Sequence, residues 1–367
     1  MMSDMTVTID VSRVPSSGFV FAPSPLAELA SAVHLLVEPG HHPAQHPWAT
    51  AVAGSLDPQL LDRLIDADYL WRTSRADSLL PSEPHESLAD ELDAMDLLTD
   101  ETWVSAALLT SSCGTVSLFR NLGSPLVDDD ARDLARNRAA RRGERQAAFV
   151  DRVLEDPPTV RTAVRRLLED CDAAFFAEAW ARVRPALVAD ARHKRDVLAV
   201  SGLGQAVATV STAITVDDRA PSLKVDKLQD GLTIADERGM TFLPSVFGNP
   251  HLLVVHAPGW RPVIQYPVAG GAPAVTTLPL DTVQRRFHAL DNPLRLRLAR
   301  SLARAPRTTA DLAETWSVSA SEVSRHLAVL KEAGLVTSVR HGRRVRHELD
   351  LTATARIGQD LVEALLR

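Results

Sequence analysis

Residues 319–326 read Ser-Ala-Ser-Glu-Val-Ser-Arg-His, and their polar members are the ones with chemistry to offer. Ser, Arg and His side chains donate hydrogen bonds to phosphate oxygens and to base edges, and a helix carrying them fits a major groove. Ser319 followed three residues later by Glu322 is the pattern of a capping box, so a helix is expected to start there. Val323, Leu327 and Leu330 recur at spacings of four and three, which commits one face to a core. Ala320, Ser321, Ser324 and Arg325 then fall on the outward face. A second set of candidate chemical groups is His41, His42 and His46. Their spacing, interrupted by Pro43 and Pro47, does not bring three nitrogens to one ion easily, so the expectation is a folded loop with hydrogen-bonded histidines and no metal.

The elements that must position the first set lie on either side of it. Thr309–Trp316 has the composition of a short helix with Leu312 and Ala313 facing inward, and Ser317-Val318 is left as a tight connection. Gly334 suits the residue just beyond a helix end. Leu335–Arg340 and Arg343–Leu349 then read as two strands around His341-Gly342, a hairpin with an arginine-rich tip. Helix, turn, second helix and basic hairpin make a winged helix-turn-helix. Arginines at a wing tip suit the narrower, more electronegative minor groove or its phosphates.

The order D-N-P-x-R-L-R-L, A-D-L-A, S-x-S-E-V-S-R-H-L-x-V-L-K-E-A-G-L-V and G-R-R-V resembles the ArsR/SmtB-type winged-helix repressors over roughly residues 283–367. The resemblance implies a transcriptional regulator, a repressor, that binds an inverted-repeat operator in double-stranded DNA as a homodimer. It places Ser321, Ser324, Arg325 and His326 at DNA-reading positions, with Thr309 and Ser319 beside them and Arg343 and Arg344 on the wing. It also implies that the first and last helices of the unit pack across a two-fold axis, which makes Val283, Phe287, Leu290, Ile357, Leu361 and Leu365 the expected dimer seam. The metal-sensing sites of the family are not carried over. Thr308 and Ala310 stand where metal sensors carry a cysteine pair, and Leu351–Arg367 contains no histidine. No cofactor is expected.

Charge is divided unequally along the chain. Residues 282–367 hold 15 Lys+Arg against 9 Asp+Glu, a net of +6, so the formal −7 of all 367 residues leaves −13 for residues 1–281. The tail is suited to a polyanion and the body is not. No run approaches the roughly 18 apolar residues of a membrane span, and a basic-then-apolar signal sequence is missing, so the expected compartment is the cytoplasm. Two widely separated cysteines, Cys113 and Cys171, fit a reducing compartment and exclude a disulfide scaffold.

The fold class expected is α+β, a mixed helical and β body followed by the winged helix. Residues 1–200 read as mainly helical after a first strand, Thr6–Val11. A helix starts at Ser24-Pro25 and runs to Pro39-Gly40, and amphipathic helices around Leu60–Ile65 and Leu88–Met95 are broken by Pro81–Pro84. Asp128–Glu155 reads as a charged, solvated helix face, with phosphate contact as the sharper alternative. One or two long helices follow over 159–200, with a stripe from Leu167 to Leu187 and a kink or split expected at Pro185. Residues 201–280 turn to β, with strands at Ala213–Val216, Leu232–Ile234, Gly239–Phe242, Leu252–His256 and Pro262–Pro267, then a linker at Gly270–Pro273. The segment Pro244–His251 is the most distinctive there. Together with the stretch from Ser24 to Pro43 it resembles an uncharacterised region found ahead of ArsR-like winged helices in bacterial regulators. A G-x-S-x-G, a P-loop and an H-E-x-x-H are all missing. The body is therefore expected to sense an unidentified small-molecule effector or to dimerise. The competing readings are an enzyme, or a constitutive scaffold, that uses the winged helix for targeting.

Overall fold

The computed structural model describes all residues except 1–5, 43–44, 74, 110–121, 218–219, 227–230, 256–259, 269–277, 342–343 and 366–367. The expected linker at Gly270–Pro273 and Cys113 lie outside the described residues. The chain divides into two compact units, residues 1–276 and 277–366.

The first unit is built on one buried helix. Its described helices are α1 (Pro25–Val37), α2 (His46–Ser55), α3 (Pro58–Asp66), α4 (Leu88–Asp96), α5 (Asp100–Leu108), α6 (Asp129–Arg142), α7 (Glu144–Glu155), α8 (Pro157–Cys171) and α9 (Ala177–Ala208). Ser24 caps α1 by accepting from the Ala27 amide, and Pro25 takes the first helical position. Every residue from Pro25 to Leu36 is buried, the apolar ones in the core and Glu28, Ser31 and His34 with hydrogen-bond partners inside the unit. The helical core gathers around it, with Trp71, Trp103, Leu168 and Phe176 fully enclosed. Three arginines of the charged α6 make contacts within the unit. Arg132 donates to Asp129 and to the Pro125 and Leu126 carbonyls, Arg136 pairs with Asp151, and Arg142 lies 4.7 Å over the Tyr69 ring.

Two four-stranded sheets complete this unit. The strands are β1 (Thr6–Asp10), β2 (Phe19–Phe21), β3 (Ile214–Asp217), β4 (Ser222–Asp226), β5 (Gly231–Ile234), β6 (Met240–Ser245), β7 (Leu253–Val255) and β8 (Val263–Pro267). One sheet runs β3-β4-β1-β5 and the other β2-β6-β8-β7. β1 is antiparallel to β4 and parallel to β5, and β2 is parallel to β6, so each sheet joins the first 21 residues to the region beyond 213. The second core forms where α9 meets these sheets, with Phe21 stacked on Phe242 at 4.5 Å. The fold is α+β as expected, but the helical and β-rich stretches either side of residue 200 interleave in space. The break in the long helical region also falls elsewhere than expected. α8 passes through a single π turn, Asp172–Phe176, and α9 carries Pro185 in its interior, with non-helical backbone at Gly202 (φ 78°). Pro185, the ninth residue of α9, has no backbone donor, and the helix runs on through it.

The second unit contains α10 (Leu280–Leu290), α11 (Pro293–Leu302), α12 (Thr309–Trp316), α13 (Ala320–Glu332), β9 (Val336–His341), β10 (Arg344–Leu349), α14 (Leu351–Ala355) and α15 (Ile357–Leu365). Its core is Leu298, Leu302, Leu312, Val323, Leu327, Leu330, Leu335 and their neighbours.

Candidate nucleic-acid interface

The motif Asp291-Asn292-Pro293-x-Arg295 joins two helices. Asn292 Oδ1 accepts from the Leu294 and Arg295 amides and caps α11. Buried Arg295 donates to the Ala289 and His288 carbonyls at 2.6 and 2.7 Å, satisfying the end of α10.

α12 opens on a complete capping box. Thr308 Oγ1 accepts from the Asp311 amide, and Asp311 Oδ2 accepts from the Thr308 amide. Ser317 then adopts left-handed backbone at φ 51°, and the Val318 amide returns to the Ala313 carbonyl, which turns the chain within two residues. Ser319 Oγ accepts from the Glu322 amide at 3.1 Å and starts α13. The reciprocal half of a box expected at Ser319 does not form among the described contacts; the Ser319 and Ser321 hydroxyls instead lie 3.0 Å apart. Gly334, at φ 67°, ends α13 as expected.

The faces of α13 divide as the spacing implies. Val323, Leu327 and Leu330 are buried, while Ala320, Ser321, Ser324 and Arg325 are exposed. Ser319 is exposed at the helix start and His326 is half-buried at the edge of the face. Together they form a strip of small and donating side chains open to solvent at the N-terminal end of a helix, where backbone N–H groups also point outward.

Thr309 has a different part. It is half-buried, and its hydroxyl lies 3.1 Å from His347 Nε2; His347 Nδ1 meets the Ser338 hydroxyl at 2.8 Å. Backbone bonds in both directions between Arg307 and His347 close the same junction. The imidazole is 4% exposed, and burial, assisted by Lys331, holds its pKa below the ordinary histidine value. His347 thus pins the hairpin to the start of α12, a role that spacing alone did not reveal.

The hairpin pairs Arg344 with His341 and Leu349 with Val336. Arg343 lies outside the described residues, and Arg344 is described only as a strand residue of β10. The described wing adds Arg340 and Arg346, both exposed, to the basic positions named from sequence.

The expected seam separates into two kinds of residue. Val283 and Ile357 are already buried within the unit, Leu290 and Leu361 are half-buried, and Phe287 and Leu365 are exposed at 43% and 57%. α15 turns its acids inward. Asp360, 3% exposed, accepts from Arg286 of α10 at 2.6 Å, and Arg356 approaches Asp360 and Glu363 at 3.6 and 3.9 Å. The Arg286–Asp360 pair holds α15 to α10, which leaves part of the apolar surface outside.

Comparison with known proteins follows this division. Residues 5–272 match a family of unknown function, DUF5937. The chain belongs to that family. Residues 290–339 match a helix-turn-helix domain. Over 86 residues the chain is 35% identical to the probable mercury resistance operon repressor of Streptomyces lividans, covering 23% of this chain and 69% of that protein. Over 91 residues it is 33% identical to the HTH-type transcriptional repressor SmtB of Mycobacterium tuberculosis, covering 23% of this chain and 67% of the relative. A solved homodimeric winged helix-turn-helix DNA-binding domain, Mb0332 from Mycobacterium bovis, is 31% identical with a TM-score of 0.21, covering 23% of this chain and 79% of its own. The C-terminal unit of this family member is an ArsR-like winged helix-turn-helix. Among the described residues, no helix is long and apolar enough to cross a membrane.

Proposed function

We propose that this chain is a transcriptional regulator, a repressor, whose C-terminal unit binds double-stranded DNA as half of a homodimer and whose N-terminal body responds to an effector or supports dimerisation. The observation that carries the reading is the exposed strip Ser321, Ser324 and Arg325 on α13, presented on the face opposite a fully buried Val323, Leu327 and Leu330. A helix so divided presents donors to base edges while its other face is fixed, and small side chains at its start permit close approach. The repressors of S. lividans and M. tuberculosis named above support transcriptional repression as the outcome. Phe287 and Leu365 support a two-fold partner, because exposed aromatic and aliphatic side chains beside an ion-paired helix junction favour burial against a second copy.

A two-fold dimer meets two half-sites about one helical turn, roughly 34–36 Å, apart. Selection of genomic DNA fragments on the purified chain, followed by footprinting of the most enriched fragment, tests this. The expected result is a protected inverted repeat with that spacing and an affinity that falls steeply with salt. Enrichment no greater than for random DNA would overturn the reading.

A further inference from the structure

Four histidines meet in the body, and only two of them are neighbours in sequence. α1 ends at Val37, and a 3-10 turn, Pro39–His41, continues its path, with the His41 and His42 amides bonded to the Glu38 and Pro39 carbonyls. The turn carries His41 and His42 back beside His34 of α1. The fourth, His251, comes from the distinctive segment 244–251. That segment is fastened to α1 by Glu28, whose carboxylate accepts from Ser245 Oγ and from the Val246 and Phe247 amides at 2.5 to 2.9 Å. The ring centroids of His34, His42 and His251 lie 4.9 to 5.2 Å apart, and His41 is 5.6 and 5.9 Å from His34 and His251. His46 does not join them: it is exposed, and its ring lies 3.4 Å from the Thr50 hydroxyl.

The hydrogen bonds at this cluster are arranged as metal-bound imidazoles require. His34 Nδ1 lies 2.7 Å from the Trp71 carbonyl and His42 Nδ1 lies 2.6 Å from the Asn249 carbonyl. A carbonyl only accepts, so both Nδ1 atoms carry the proton and both Nε2 atoms present a lone pair. Those two Nε2 atoms and His41 Nδ1 are buried without a hydrogen-bond partner. Buried polar atoms are rarely left unsatisfied, so three in one cluster point to an occupant. Ligand nitrogens of His34, His41 and His251 all lie within 4.8 Å of one another. A tetrahedral ion with bonds of about 2.1 Å sets nitrogens about 3.4 Å apart, so the nitrogens of these three need to close by about 1.4 Å at most. His41 is half-buried and sits in a short turn outside α1. Arg75, fully buried nearby, is an unfavourable charge for a cation, and Glu28 offsets it.

We infer that His34, His41 and His251 form a binding site for a divalent first-row transition metal of the zinc class, with His42 available as the fourth ligand. An all-imidazole donor set suits zinc, cobalt, nickel or copper and is a poor match for calcium or magnesium, which take oxygen ligands. The site lies wholly within the body and stands whether or not the C-terminal unit binds DNA.

The test uses the tag-free full chain, stripped with chelator and titrated with cobalt(II) while the visible spectrum is followed. The expected result is one cobalt per chain with the intense bands of four-coordinate cobalt, displaced by one equivalent of zinc. His41→Ala removes a ligand that makes no hydrogen bond to the core and is expected to weaken binding at least tenfold with unchanged circular dichroism. His251→Gln tests the same ion from the other segment, and His46→Ala is expected to bind as the parent does. No stoichiometric binding, or binding that survives both His41→Ala and His251→Gln, would overturn the assignment.

Discussion

Replacing His347 by alanine tests how the wing is held. The ring makes two side-chain hydrogen bonds, to Ser338 at 2.8 Å and to Thr309 at 3.1 Å, in a site where it is 4% exposed. At about 1 kcal/mol net for each, the loss is about 2 kcal/mol before any cavity is counted. Because every 1.4 kcal/mol is a factor of ten, amides of β9 and β10 should exchange with solvent roughly 30-fold faster. The pH dependence supplies an independent check. The folded state holds the His347 pKa below the ordinary value of 6.5, so the unfolded state binds the extra proton first. Stability is therefore fully present above about pH 6.5 and is lost as pH falls through that value. Hydrogen exchange followed peptide by peptide on the full chain, at pH 7.5 and pH 5.5 and corrected for intrinsic rates, separates this hairpin from the body. The parent hairpin should loosen at pH 5.5, and the alanine variant should start loose and change little. Equal protection in the two proteins, or a parent hairpin indifferent to pH, would refute the account of the anchor.

Three further outcomes follow from other contacts. Burial raises Glu91 to about 7 although it accepts from Ser24 Oγ and the Leu26 and His85 amides, so the folded body prefers the protonated acid. Its contribution is present below about pH 4.5 and lost as pH rises through 7, by about 3 kcal/mol in all, and Glu91→Gln should flatten urea-unfolding midpoints across that range. Arg295→Ala, which frees two carbonyls at the end of α10, should destabilise the C-terminal unit by about 2–3 kcal/mol, against about 1 kcal/mol for Asn292→Ala at the α11 cap, both read by the same peptide-resolved exchange. Phe287→Glu places a charge on the exposed part of the expected seam and should shift a dimer to monomer in sedimentation velocity while leaving helicity intact.

What could be read from the sequence was local. Thr309–Trp316 appears with the bounds its composition implied, and Ser24, Ser319 and Gly334 do the capping their types suit, because each acts within four residues of itself. The buried face of α13 follows from spacing alone. Of the missed strands, β2 is a three-residue run whose partner β6 lies some 220 residues away, so no local pattern marked it, whereas β4 pairs with the distant β1 and also with its neighbour β3. The seam expected along α15 took no account of Asp360, because its inward turn depends on Arg286, 74 residues upstream. The histidine cluster escaped for the same reason. Spacing compared His41 and His42 with His46, whereas folding sets them beside His34 and His251.

The most direct test of the central claim compares Arg325→Ala with Arg346→Ala on the selected operator and on random duplex, across a salt series. If α13 reads bases, Arg325→Ala loses about 1–3 kcal/mol on the operator, roughly 5- to 150-fold, with little change on random DNA, whereas Arg346→Ala weakens both and lowers the salt slope by about one. Equal losses on operator and random DNA for Arg325→Ala, or no loss at all, would contradict the account.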